Sequence, residues 1–330
     1  VSKPGCLYDY FRGNAEGADP LTRLRDHEPI RPEYRDRDAR LATLDDQGLA
    51  GCWLFPTLGM IYEEPLHHDP EAVCLTFRAF NRWLAEDWGF THRDRIFAAP
   101  YLTLADPAWA VEELEWALGE GARLLVMRAA APTTAVGRRS PFDPMFDGFW
   151  SRVDEAGITV VVHAGDSGVS SDGYAVDGFA ATFSGGYAPS LKNFAIEKAV
   201  HDWLLSLVLS NHLRKFPNLR VASVENGAEF LPDLFRKLRS VDRKMKGWFD
   251  GDPVDRFRRH VWINPFWEDD LTAVVGWMGA DRVLFGSDWP HIEALPQPLD
   301  YLAEAKALDA ADRRKVLYGN VTELTALHPR

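Results

Sequence analysis

Residues Val283–His291 read Val-Leu-Phe-Gly-Ser-Asp-Trp-Pro-His. The first three are apolar and make a short buried strand, which Gly286 and Ser287 end. Asp288 then stands at the strand's carboxyl end, followed by Trp289, Pro290 and His291. In a parallel α/β protein that end of a strand is where chemistry is done. A carboxylate placed there can bind a metal, take a proton, or do both.

Upstream, the same rhythm recurs. Helix Arg37–Gln47 leads to strand Gly51–Phe55, helix Glu71–Trp88 to Arg95–Tyr101, and helix Ala108–Leu118 to Arg123–Met127. Helix Met145–Ala156 ends at Gly157 before Ile158–His163, and a long helix over Phe194–Leu213 leads to Leu219–Val224. Helix Leu231–Met245 precedes His260–Asn264, and Asp270–Gly276 precedes Arg282–Phe285. Helical Pro298–Leu308 and Ala311–Leu317 close the chain. Strands alternating with helices indicate βα units on a parallel sheet. No GxGxxG follows an early strand, which argues against an open dinucleotide-binding sheet. The expectation is an α/β protein, a (β/α)8 TIM barrel forming one domain over residues 1–330, with 1–40 an irregular surface segment. Seven strands are legible where a barrel needs eight, so the first strand is expected to precede Val1.

The 330-residue length suits one large barrel, and a hydrophobic fraction of 46% supports a substantial core. A net charge of −12 argues against nucleic acid and anionic membrane surfaces as partners. No apolar run approaches the ~18 residues of a membrane span. Cys6, Cys52 and Cys74 are odd in number and lack CxxC spacing, which fits a reduced, cytoplasmic protein.

The polar residues that end strands are the candidate site. His163 follows the β-branched run Ile158–Val162 and reads either as a satisfied core histidine or as a metal ligand. Glu225 follows Arg220–Val224; it is costly to bury unless paired, for example with Arg128, or bound to a cation. Asp288 could simply cap a helix. Three such residues on three corresponding strand ends are better explained by one shared site than by three coincidences. One imidazole with carboxylates is a ligand set for a divalent metal, zinc first, with manganese or iron as alternatives. Arg128 and Asn264 end other strands and are candidates for substrate binding, as are Trp267, Trp289 and His291, with Phe266 as a further apolar wall. His67, His68 and His201 read as surface or packing residues, and Asp166, Ser167 and Ser170 as loop residues. No G-x-S-x-G elbow marks a serine nucleophile.

The strand ending in His163, the run Phe216–Val221, the turn Glu225-Asn226-Gly227 and the segment Phe285–His291 carry a resemblance to a known family. By these motifs the chain resembles the amidohydrolase-related family that includes aminocarboxymuconate-semialdehyde decarboxylase. The resemblance implies a (β/α)8 barrel with one divalent metal, His163 as the strand-five ligand and Asp288 as the strand-eight ligand. It also makes a homo-oligomer the expectation. The family's strand-one pair, such as His-x-His, has no counterpart before Gly51. At strand six the family's decarboxylases usually carry a catalytic histidine, whereas Glu225 stands here.

That glutamate sets the first expectation: a metal-dependent hydrolase of a small carboxylic acid derivative (ester, thioester, lactone or amide), in which metal-bound water attacks. Asp288 would be ligand and base, and Glu225 would assist proton transfer or bind the metal. The alternative is a non-oxidative decarboxylase or C–C hydrolase of an aromatic or ring-derived acid. A third reading is a catalytically inactive binding barrel.

Overall fold

The computed structural model describes residues 1–13, 20–56, 59–168 and 191–327. Its parallel strands are β1 Cys52–Leu54, β2 Ile96–Ala98, β3 Leu124–Arg128, β4 Thr159–His163, β5 Arg220–Val224 and β6 Val261–Ile263. β3 to β6 pair in chain order, with Arg128 opposite His163 and His163 opposite Val224. A bridge between Tyr101 and Val126 joins β2 to β3. At the other edge Leu284 donates its N–H to the Ile263 carbonyl at 2.8 Å, which adds Val283–Phe285 as the seventh parallel segment. Chain-order parallel pairing with helices between strands is the construction of the TIM barrel, and this chain has that fold. Among the described residues no strand pairing joins Val283–Phe285 to Cys52–Leu54, and no strand precedes Cys52. No described helix is long and apolar enough to cross a membrane.

The central strands are continuous apolar runs because both faces are covered; every residue of β3 and β4 is buried. A repeated Asp-Pro device starts the outer helices. Asp69, Asp106 and Asp252 cap Pro70–Asp87, Pro107–Gly119 and Pro253–His260, each with proline at the first helical position. The aspartate accepts otherwise unpaired N–H groups, and proline has no N–H to leave unpaired.

Several elements differ from the sequence expectation. The long helix over Phe194–Leu213 is instead Ala195–Leu209 followed by a separate turn, His212–Lys215. Asn211 between them adopts a left-handed conformation, φ 56°, which ends the first helix. Helix Gly59–Leu66 falls where none was expected, with Pro65 in its last turn. Within the segment expected to be irregular, short helices span Tyr8–Phe11 and Pro20–Arg23. Ser170 lies outside the described residues.

Candidate metal centre

Three strand ends converge as expected. β4 delivers His163, β5 delivers Glu225 one residue past its end, and Val283–Phe285 delivers Asp288. Glu225 and Asp288 share an unusual backbone, φ 58° and 55°. Left-handed non-glycine residues are sparse and cluster at functional sites. Both corners are braced. Asn226, 1% exposed, donates Nδ2–H to the carbonyls of Val162 and Val224, each at 2.9 Å. Beyond Phe285, Gly286 leaves room for Asn264, whose Nδ2 would lie 2.7 Å from any Cβ at that position. Asn264 donates to the carbonyls of Pro265 and Leu284 at 3.2 and 3.3 Å. It therefore locks a strand end, and no substrate contact is needed to account for it.

His163 donates Nδ1–H to the Ala164 carbonyl at 2.7 Å, which turns Nε2 towards Glu225 Oε2 at 2.9 Å. The bland reading of Glu225, an ion pair with Arg128, does not hold; its partner is His163. Across the site His291 Nδ1 is 3.2 Å from Asp288 Oδ2 and 3.7 Å from Glu293 Oε2. One ligand atom from each of Glu225, Asp288, His291 and Glu293 can be chosen so that all lie within 4.8 Å of one another. Glu293 was not singled out from sequence; its only signal there is the spacing Asp-x-x-His-x-Glu.

The charges oppose one another strongly. Burial presses the His163 imidazole down, but Glu225 more than offsets this and its pKa is raised. Glu225 is pushed up by burial and down by His163, and ends below the usual carboxylate range. Burial and the Glu225 charge lift Asp288 to about 6. Asp288 keeps 38% of its side chain open to solvent, so crowding within a concave mouth, not complete loss of water, raises it. Burial lowers His291, yet Asp288, Glu225 and Glu293 bring it to about 9. Glu293 is raised to about 7 by burial, against the pull of His291 and with repulsion from Glu225 and Asp288.

These residues fit a divalent cation. Three carboxylates crowd together around a single imidazole, His291, whose Nδ1 lies 3.2 Å from Asp288 Oδ2. Oxygen-rich sets with imidazole are the donor chemistry of such ions.

The other sequence candidates lie in different surroundings. Arg128, 4% exposed, sets Nε 3.2 Å from Glu63 and Nη1 2.7 Å from Glu64. Its charge is thus matched within the protein, where a substrate clamp would present it free. Glu63 also accepts from Thr103 at 2.8 Å and from the Tyr101 hydroxyl at 2.5 Å. Trp267, 6% exposed, spends its indole N–H on the Glu293 carbonyl at 3.0 Å, with Tyr8 stacked on it at 4.9 Å. Trp289 is half-buried, with the Arg40 guanidinium 4.7 Å from its ring centre. Phe266 packs on Gly227. His201 is buried against Asp202 and Asp233, away from this centre.

Known proteins share this architecture. A crystal structure of an amidohydrolase from Mycobacterium avium subsp. paratuberculosis K-10 superposes with a TM-score of 0.90 at 38% identity, covering 98% of this chain and 84% of that one. A gamma-resorcylate decarboxylase from Polaromonas sp. strain JS666 is 27% identical over 322 residues, 90% of this chain and 91% of that protein. A dihydroxybenzoic acid decarboxylase from Polaromonas sp. JS666, solved with manganese and the inhibitor 2-nitroresorcinol, shares the fold at 20% identity and a TM-score of 0.68, covering 97% of this chain and 93% of that one. The amidohydrolase family model matches residues 32–324, and the chain belongs to that family of enzymes.

Proposed function

We propose that this protein is a metal-dependent lyase that releases CO2 without oxidation from a hydroxylated aromatic acid. The similarity to gamma-resorcylate decarboxylase over 90% of the chain favours this chemistry over the hydrolysis expected from Glu225. The geometry that carries it is the His163–Glu225 contact at 2.9 Å, beside Asp288 at the barrel mouth. His163 and Asp288 would hold the divalent metal, with Glu225, His291 and Glu293 within reach. The carboxylate-rich set suits manganese better than the zinc first expected. Once bound, the metal supplies Lewis-acid polarisation and fixes the substrate's oxygen atoms.

The chain's own residues manage the proton. With Nδ1 of His163 donating to the Ala164 carbonyl and Nε2 left for the metal, Glu225 beside it is the group free to carry a proton. Decarboxylation needs one proton delivered to the ring carbon that bears the carboxylate. The bond to the carboxylate then breaks, its electron pair returns to the ring, and CO2 leaves. Glu225 is the donor in this scheme; because its pKa lies below the usual carboxylate range, it must draw a proton from solvent in each cycle before passing it to the ring. Trp289 forms part of the apolar surround of the ring.

A second reading, hydrolysis of a neutral ester, lactone or amide, is favoured by one observation. A carboxylate at position 225 repels an incoming substrate carboxylate. One experiment separates the two. The manganese-loaded full-length protein is given 2,6-dihydroxybenzoate and, separately, its methyl ester. CO2 and resorcinol from the acid support the lyase; methanol from the ester with no CO2 from the acid overturns it.

A further inference from the structure

We propose that the N-terminal segment Gly5–Arg12, together with Trp267, positions His291 and Glu293 in the metal centre and thereby sets the protein's affinity for a divalent cation. The proposal rests on the metal reading above. His291 and Glu293 sit in irregular backbone, with no strand or helix of their own to orient them. Instead, three successive carbonyls are each captured from outside the loop. The His291 carbonyl accepts from the Gly5 N–H at 2.9 Å, and the Ile292 carbonyl from the Leu7 N–H at 3.0 Å. The Glu293 carbonyl accepts from Trp267 Nε1 at 3.0 Å.

Trp267 is itself held by the same segment. The Tyr8 ring stacks on it at 4.9 Å and 29°, and the Arg12 guanidinium lies 4.7 Å from its centre. Arg12 is anchored to Glu304 at 2.6 Å. Gly5 allows the segment to approach this closely: at φ +68° a Cβ would fall 2.8 Å from Pro296 Cγ and 3.0 Å from the Ala294 carbonyl. One short segment therefore fixes the loop directly through Gly5 and Leu7, and indirectly through Trp267. Neither Gly5 nor Trp267 supplies a ligand atom. Each acts through the backbone that carries the ligands, and loss of such outer partners typically weakens metal binding about 10- to 100-fold.

The test uses full-length protein and Mn2+ alone. Binding is followed by the electron paramagnetic resonance signal of the free ion and by calorimetry, and melting is recorded in EDTA. Trp267→Phe keeps an aromatic ring under Tyr8 and removes the indole N–H together with part of the bicycle. It should weaken Mn2+ binding about 10-fold when measured well below its metal-free melting temperature, whereas Trp248→Phe should bind Mn2+ as the wild type does. Trp248 is the control, because it also donates Nε1–H to a carbonyl, that of Leu209 at 3.0 Å, outside the centre. Gly5→Ala should weaken Mn2+ binding in the same direction, and it decides the matter if Trp267→Phe does not fold. Wild-type binding with the folded variants within twofold overturns the positioning role and leaves the metal reading standing. No Mn2+ binding by the wild type overturns both.

Discussion

His163 Nε2 and Glu225 Oε2 stand 2.9 Å apart on neighbouring strand ends, each raising the charged population of the other. Glu225→Gln keeps the shape and removes the charge and the transferable proton. Turnover should fall about 100-fold or more, the usual scale for a lost acid–base group. Glu225→His restores a proton donor and should release CO2 faster than Glu225→Gln. Steady-state CO2 measurement on both variants decides; equal rates for Gln and wild type would remove Glu225 from the chemistry.

As a proposed metal ligand, Asp288 would couple metal binding to the fold. Saturation at about 100 times Kd adds about 2.7 kcal/mol of stability to a protein that binds only when folded. Wild-type protein should therefore melt higher in manganese than in EDTA. Asp288→Asn should abolish that difference and turnover together, as read by thermal melts in the two buffers. An unchanged manganese shift in Asp288→Asn would show that the cation is held elsewhere.

The Arg128 network makes a different prediction. Removing one partner of a buried ion pair leaves the other charge uncompensated, at a cost of about 3–5 kcal/mol. Arg128→Met strands Glu63 and Glu64 in this way and should lower the urea midpoint accordingly. A raised KM at wild-type stability would instead restore Arg128 to substrate binding.

His212 sets a slope in acid. It is enclosed by the rings of Phe142, Trp150 and Phe216 at 4.9, 5.1 and 4.6 Å. Burial, helped by Lys215, holds it neutral with a pKa of about 3. In the unfolded chain it titrates near 6.5. Between those values the unfolded state binds a proton that the folded state refuses, so stability falls as pH falls. The slope is about 1.4 kcal/mol per pH unit from this residue, and above about pH 7 the contribution vanishes. His212→Phe should flatten the dependence of the urea midpoint between pH 4 and 6; an unchanged slope would assign acid sensitivity to other groups.

The barrel was legible because its strands are short apolar runs and its helices carry strong start signals. His163, Glu225 and Asp288 were legible because each interrupts or ends such a run, where a polar residue needs a reason. Glu293 was not, because its place depends on Trp267 and on Gly5, which are remote in sequence and carry no periodic signal. The ion-pair partners of Arg128 were illegible for a related reason. Its partners lie on Gly59–Leu66, a helix whose Pro65 reads as a breaker but sits harmlessly near its end. Asn264 and Trp267 were recognised as important, but a sequence does not distinguish a side chain that touches substrate from one that braces backbone.

The left-handed corners at Glu225 and Asp288 bear on how this catalyst can diversify. That backbone region accepts asparagine, aspartate and histidine more readily than β-branched or bulky residues. Exchange of glutamate for histidine at position 225 therefore asks nothing new of the main chain. The corner behaves as an interchangeable socket: an acid or an imidazole can be presented to the same mouth while the surrounding barrel stays as it is. Divergence between reaction types in this architecture can thus proceed through single, folding-neutral replacements at one strand end.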